Sequence, residues 1–362
     1  MKKLTEMKFN SEYPKVFVGN SNVFIADCGI FGKLEDGVFS KIIEFDKRFE
    51  IRNLSNIYFY LDEYSGEIGH LFSVYKDSFI NVLDFSTYEM RLGMKNICLI
   101  TNRQVPETLL FDIEKKHILW KQDKYFSFQI FDNELLVDNE KSGIVRYAFQ
   151  TGLSLWHFLL PEGVYDGYNV HFKQVKKGEI SKIIGVYDGV LWVALNTGWL
   201  LGLDVDNGTG RHRIRQPIEF DEMRIFVGLY TQLDTQKRVL FGLRNTHYWE
   251  IDLEKEVLSY QIYDISSSCQ QFKIRAEMPI YDWIWLGNEI FFGEIYDADH
   301  RQDTNTVGIF DRTKREIIWA DRIGKKGEIF PTIQKIDYAE QRLYVLDGEC
   351  TLHVFEREST SV

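Results

Sequence analysis

Four side chains able to hold a cation stand close together in the segment YDADHRQD: Asp297, Asp299, His300 and Asp303. Alternating carboxylates beside an imidazole could coordinate a divalent ion, because hard cations take carboxylate oxygens and intermediate ones add imidazole nitrogen. The segment lacks the glycine that bends a calcium loop, and a solvated polar loop has the same composition. The four residues therefore stand as metal candidates, while the reading adopted is no metal and no cofactor. DVDNGTG, beginning at Asp204, fits a calcium loop still less, since Gly208 falls where an oxygen ligand should be. Turn chemistry accounts for it.

Catalytic groupings are absent from the sequence. Eight histidines lie far apart; His117, His212 and His353 fall in strand-like runs where packing is the ordinary role, and His157 directly follows Trp156. No glycine-rich phosphate loop, GxSxG, CxxC or HExxH occurs. The chain reads as non-enzymatic. The alternative is an enzyme or small-ligand binder whose site is assembled in a central channel from residues distant in sequence.

Charge narrows the partners. Lysine and arginine number 43 against 54 acidic residues, a net charge of −11. Phosphate neutralisation needs a basic surface, so nucleic acid is not expected. A basic protein partner would suit this balance. The local exception is RHRIR, where strand alternation puts Arg211, Arg213 and Arg215 on one face. An outermost strand that uses charge to deter edge pairing explains the run, and a patch for an acidic partner is the second reading.

Contacts to another protein are expected from long insertions. These cover residues 157–179, residues 264–283 and the acidic residues 296–305. Tyr165, Tyr168, His171, Phe172, Arg275, Tyr281 and Trp283 are of the types that anchor partner interfaces. Tyr281 and Trp283 could equally open the next strand.

These loops need a scaffold, and six repeated segments supply its outline. They read VLDFSTYEMRL from Val82, LFDIEKKHILW from Leu110, RYAFQTGLSLW from Arg146, GLDVDNGTGRH from Gly202, EIDLEKEVLSY from Glu250 and IFDRTKREIIW from Ile309. Each is an apolar strand, a polar turn and a second strand. The turn begins at Asp84, Asp112, Ala148, Asp204, Asp252 and Asp311; eight positions on stand Leu92, Trp120, Trp156, His212, Tyr260 and Trp319. Aspartate suits the turn because its carboxylate accepts the backbone N–H groups of the reversal.

Repetition of short strands at roughly 45 residues per unit predicts an all-β fold, a β-propeller of four-stranded antiparallel blades. Seven blades are expected, with eight as the alternative. The Leu110 segment, preceded by Pro106, also admits a helix. The C-terminal segment stops before an outer strand, so an N-terminal strand should close the ring, from around Met7–Phe9 or Val16–Val18.

DGVLWVALNTGWLLGLDVDNGTGRH resembles the repeat of PQQ-like (quinoprotein-type) propellers, as does SGIVRYAFQTGLSLW with Thr151, Gly152 and Trp156 in place. The resemblance implies the propeller architecture. The family's redox chemistry commonly uses adjacent cysteines and bound calcium in exported proteins. Here Cys28, Cys98, Cys269 and Cys350 are nowhere adjacent, and no quinone is expected.

The N-terminus lacks the apolar run of a signal peptide, and no stretch approaches the roughly 18 apolar residues of a membrane helix. A cytoplasmic, membrane-free setting with reduced thiols is expected, and one domain spans 1–362. Composition leaves the oligomeric state open. The function expected is that of a protein-interaction module, of a scaffold, accessory or immunity type.

Overall fold

The computed structural model describes residues 1–9, 15–19, 22–27, 30–35, 38–44, 49–53, 58–63, 69–73, 78–83, 87–92, 97–102, 107–123, 128–131, 135–169, 174–222, 227–274, 280–294, 306–323, 333–339 and 341–357. Four strands in meander order, each antiparallel to the next, recur along the chain. Seven such sheets span 15–44, 49–83, 87–122, 128–159, 180–215, 231–264 and 280–322. An eighth combines Ile333–Ala339, Arg342–Asp347 and Thr351–Glu356 with the N-terminal strand Lys2–Lys8. The fold is all-β and the sheets are propeller blades, so the count agrees with the larger of the two numbers expected. Helix among the described residues is confined to Ile218–Glu222, Val227–Tyr230 and Ser266–Gln271.

The N-terminal strand joins the last sheet as anticipated. Lys2 pairs with Glu356 and Lys8 with Thr351, and the Phe9 N–H continues the ladder to the Cys350 carbonyl at 2.9 Å. Of the two candidate segments it is the one around Met7 that pairs with the C-terminal strand. Val16 lies in Lys15–Gly19, the first strand of the first sheet.

The chain divides into two compact units: Met1–Asp84 with Arg244–His247 and Tyr263–Val362, and Phe85–Leu243 with Tyr248–Ile262. In the second unit, a core of Leu135, Val137, Ile144, Ile183, Leu191 and Leu201 fills the space between the 128–159 and 180–215 sheets. In the first, Phe291, Ile309, Ile336, Val345 and Phe355 do the same between the 280–322 sheet and the last one. Burial therefore lies between the faces of consecutive sheets, which is why the second and third strands read as continuous apolar runs such as VLWVAL.

The repeated hairpin has the register expected from the sequence. Leu110 pairs with Trp120, Arg146 with Trp156, Gly202 with His212 and Ile309 with Trp319. One residue later, a bulge falls at the same place in all four. The turn carboxylates act as anticipated: Asp204 accepts from the N–H groups of Asp206 at 2.8 Å and Asn207 at 3.1 Å, and Asp311 from those of Thr313 at 2.8 Å and Lys314 at 3.0 Å. Residues 108–122 form two strands, not a helix.

Two expectations are corrected. Ser78–Leu83 and Thr87–Leu92 belong to different sheets, so the Val82 segment is a link between blades and not a hairpin. Its resemblance to the repeat rests on strand composition alone, and the proposed turn residue Asp84 lies outside the described residues. His117 is exposed on its outer strand, whereas His212 stacks on Trp192 and buried His353 meets the Asp347 carboxylate at 2.7 Å. Only the latter two are packed.

Lysines tie the innermost strands together. On Ile180–Tyr187 a bulge next to Lys182 lets its ammonium donate to the Thr231 carbonyl at 2.7 Å, on the first strand of the following sheet. Lys335, beside the same bulge in Ile333–Ala339, donates to the Val16 carbonyl.

Candidate functional site

The first insertion begins on the outermost strand of the 128–159 sheet. In Ser154–Leu159, Trp156 and Phe158 pack toward the next sheet, so alternation leaves Leu155, His157 and Leu159 on the opposite face. Leu155 is 54 % exposed, Leu159 58 % and the preceding Leu153 68 %. This outermost strand therefore carries apolar residues on both faces, and those of the outward face stand in solvent. Neither residue type nor insertion length singles out these leucines in the sequence. The signal was present: once Trp156 faces inward, Leu155 and Leu159 must face outward.

Beyond the strand, the chain makes a turn and a short hairpin, Gly167–Asn169 paired with Gln174–Lys176. Both ends of the excursion are tied to one turn: the Leu160 N–H donates to Ser142 at 2.9 Å and the Ile180 N–H to Lys141 at 2.7 Å. Its middle is fixed by Tyr165, whose ring meets Trp199 edge-on with centroids 5.7 Å apart. The Thr197 hydroxyl donates to the Tyr165 carbonyl at 2.8 Å, and Lys176 donates to the Asn196 carbonyl at 2.9 Å. The Gly178 N–H donates to Asp166 at 2.9 Å. Gly178 passes so close over Tyr165 that a Cβ there would lie 2.6 Å from its carbonyl oxygen. The described part of the loop is held in shape by these contacts, and it presents Val164 and Val175 at 50 % and 69 % exposure.

Tyr165 was expected to project toward a partner. It is 7 % exposed and belongs to the core between sheets. A large ring in a long loop gains more by filling the gap beside Trp199 than by facing water, and it anchors the loop instead of contacting from it.

Tyr168 lies on Gly167–Asn169 and Tyr281 on Ile280–Leu286. Trp283, half-buried and paired across the ladder with Phe292, is a residue of that first strand, so the strand-opening reading holds for it. His171, Phe172 and Arg275 lie outside the described residues, as do Asp297, Asp299, His300 and Asp303. Among the described residues no group of three or more His, Cys, Asp or Glu side chains could hold a metal.

His157, between the exposed leucines, meets Glu140 at 3.2 Å. Beside this one imidazole–carboxylate pair the arrangement offers apolar contact area and a strand edge.

No protein-family model matches the chain, and no curated protein does. Among solved structures it is similar to BamB from Moraxella catarrhalis, with a TM-score of 0.57 at 11 % identity, covering 98 % of this chain and 99 % of that one. It is similar as well to the computationally designed Ika8 protein (TM-score 0.61, 10 % identity, 99 % and 100 % covered). A third is Sqt1 from Saccharomyces cerevisiae (TM-score 0.61, 11 % identity, 98 % and 99 % covered). At these identities the likeness carries the fold, a β-propeller, and nothing further.

Proposed function

We propose that this β-propeller is a non-enzymatic protein-interaction module, whose partner covers the outer strand Ser154–Leu159 and the adjoining loop. The observation that carries the reading is the exposure of Leu153, Leu155 and Leu159 on and beside this strand, together with that of Val164 and Val175 in the loop that buried Tyr165 anchors. A pre-shaped loop loses little conformational freedom on binding, which favours affinity. The net charge of −11 favours a basic partner, through faster electrostatically steered encounter. A reducing, cytoplasmic setting belongs to the same reading and is supported by Cys98, Cys269 and Cys350 being buried thiols.

The test replaces Leu155 and Leu159 together by aspartate. Both side chains already face solvent, so the melting temperature is expected to stay within a few degrees of the parent. Capture of the physiological partner should fall by about tenfold or more, because apolar contact is lost and charge is placed in the interface. Undiminished capture by the double variant would contradict the proposal.

A further inference from the structure

On the outermost strand of the 180–215 sheet, Gly210–Arg215, the three arginines have different fates. Arg211 is taken by the Asp204 carboxylate. Arg215 holds its guanidinium 5.9 Å from the centroid of the Trp199 ring. Arg213 is exposed and makes no hydrogen bond or ion pair among the described residues. In a chain with 54 acidic side chains, a guanidinium left without a carboxylate is notable.

Arg213 and Arg215 line an open groove of about 370 Å³ together with Leu258, Ser259 and Tyr260. The Tyr260 hydroxyl is buried and has no hydrogen-bond partner. Burial pushes the phenol's pKa up, against the opposing charge of Arg215, so the hydroxyl stays a donor. Leaving a buried donor unmade is costly, and the cost is recovered when a ligand supplies an acceptor. Ser259 adds a second, exposed hydroxyl. Two guanidiniums and two hydroxyls therefore meet in one groove, and its lining contains no carboxylate.

We infer that this groove is a docking site for an acidic peptide segment, which sets a carboxylate or phosphate oxyanion between Arg213, Arg215 and the Tyr260 hydroxyl. The outermost position of Gly210–Arg215 leaves one strand edge free, so an extended segment can run along it while its acidic side chains reach the guanidiniums. Leu258 and Ile214 give the segment's aliphatic stems an apolar floor. A nucleic acid fits less well, because two guanidiniums neutralise few phosphates and the remaining charge of the chain repels the rest. None of the groove's lining residues lies on the leucine strand.

The test uses the full chain and fluorescence anisotropy. The labelled probes are a peptide of alternating glutamate and threonine, its glutamine counterpart, a phosphoserine counterpart and a single-stranded oligonucleotide. The glutamate or phosphoserine peptide should bind about tenfold or more tighter than the glutamine peptide, and whichever is tighter identifies the oxyanion. Arg213→Glu should abolish that preference, while Lys314→Glu, the same charge change on an exposed turn, should leave it intact. Tyr260→Phe should weaken binding several-fold without lowering the melting temperature, since the hydroxyl has no partner in the free protein. Equal binding of the acidic and glutamine peptides, indifference to Arg213→Glu, or tightest binding of the oligonucleotide would each overturn the inference.

Discussion

The indole N–H of Trp156 donates to the Val205 carbonyl at 2.8 Å, from the outermost strand of one sheet to the hairpin turn of the next. Trp120 repeats this bond one blade earlier, reaching the Phe149 carbonyl at 2.7 Å. In both cases the acceptor is the residue after the turn-starting position, Asp204 or Ala148. Four positions after that start the backbone is left-handed in four of the repeated hairpins, at Lys116, Gly152, Gly208 and Arg315, though not at Glu256 of the Asp252 turn. Glycine occupies the position in the two turns on which a tryptophan docks. A Cβ would lie 2.9 Å from the Trp120 ring at Gly152 and 2.7 Å from the Trp156 ring at Gly208. Lysine and arginine are tolerated in the other two.

Gly208→Ala should therefore cost more than its backbone conformation alone explains. Gly163 has nearly the same φ, +74° against +73°, and nothing near its missing Cβ. Gly163→Ala should cost about 1–2 kcal/mol for the left-handed conformation. Gly208→Ala should add roughly 1–3 kcal/mol of overpacking against Trp156. Urea denaturation of the two variants side by side measures the difference, and equal losses would remove the docking explanation.

Trp156 itself separates ring from hydrogen bond. Trp156→Phe keeps most of the contact with Gly208 and should cost about 1–2 kcal/mol, leaving the Val205 carbonyl with Arg146 as donor. Trp156→Ala should cost about 3–5 kcal/mol. If the alanine variant melted with the parent, the ring would not be holding the two sheets together.

How far the sequence discloses all this depends on the range of the interactions. The pairing of Trp156 with Arg146 and of Trp319 with Ile309 follows from hairpin geometry, which is local, and so it was readable. The glycine at 208 was readable as a turn residue, but its second reason, a ring arriving from another blade, was not. The candidate site shows the same division. Residues 157–179 stand out as an insertion by their length. Whether Tyr165 projects or anchors depends on a gap beside Trp199, which is distant in the chain. The outward leucines were implied by Trp156 facing inward, once that orientation was taken seriously.

Lys182 gives a pH dependence. Burial lowers its ammonium pKa from 10.5 to about 8. Between those values the unfolded chain still holds a proton that the folded chain has released, so this residue makes stability rise with pH across that window. Denaturation of the parent and of Lys182→Met at pH about 7 and about 10 should show the parent gaining on the variant at the higher pH. Parallel behaviour at the two pH values would mean that the ammonium is not desolvated where it meets the Thr231 carbonyl.

The most direct measurement of the interaction surface is site-specific crosslinking in the native cell. A photoreactive amino acid is placed at Leu155 in one variant and, as a control, at Val38, which is 68 % exposed on a different sheet. The expected result is a discrete crosslinked species, containing this chain and one other protein, from position 155 and not from 38. Its yield should drop when Leu159 is replaced by aspartate. The same products from both positions, or none from Leu155, would contradict a partner seated on Ser154–Leu159.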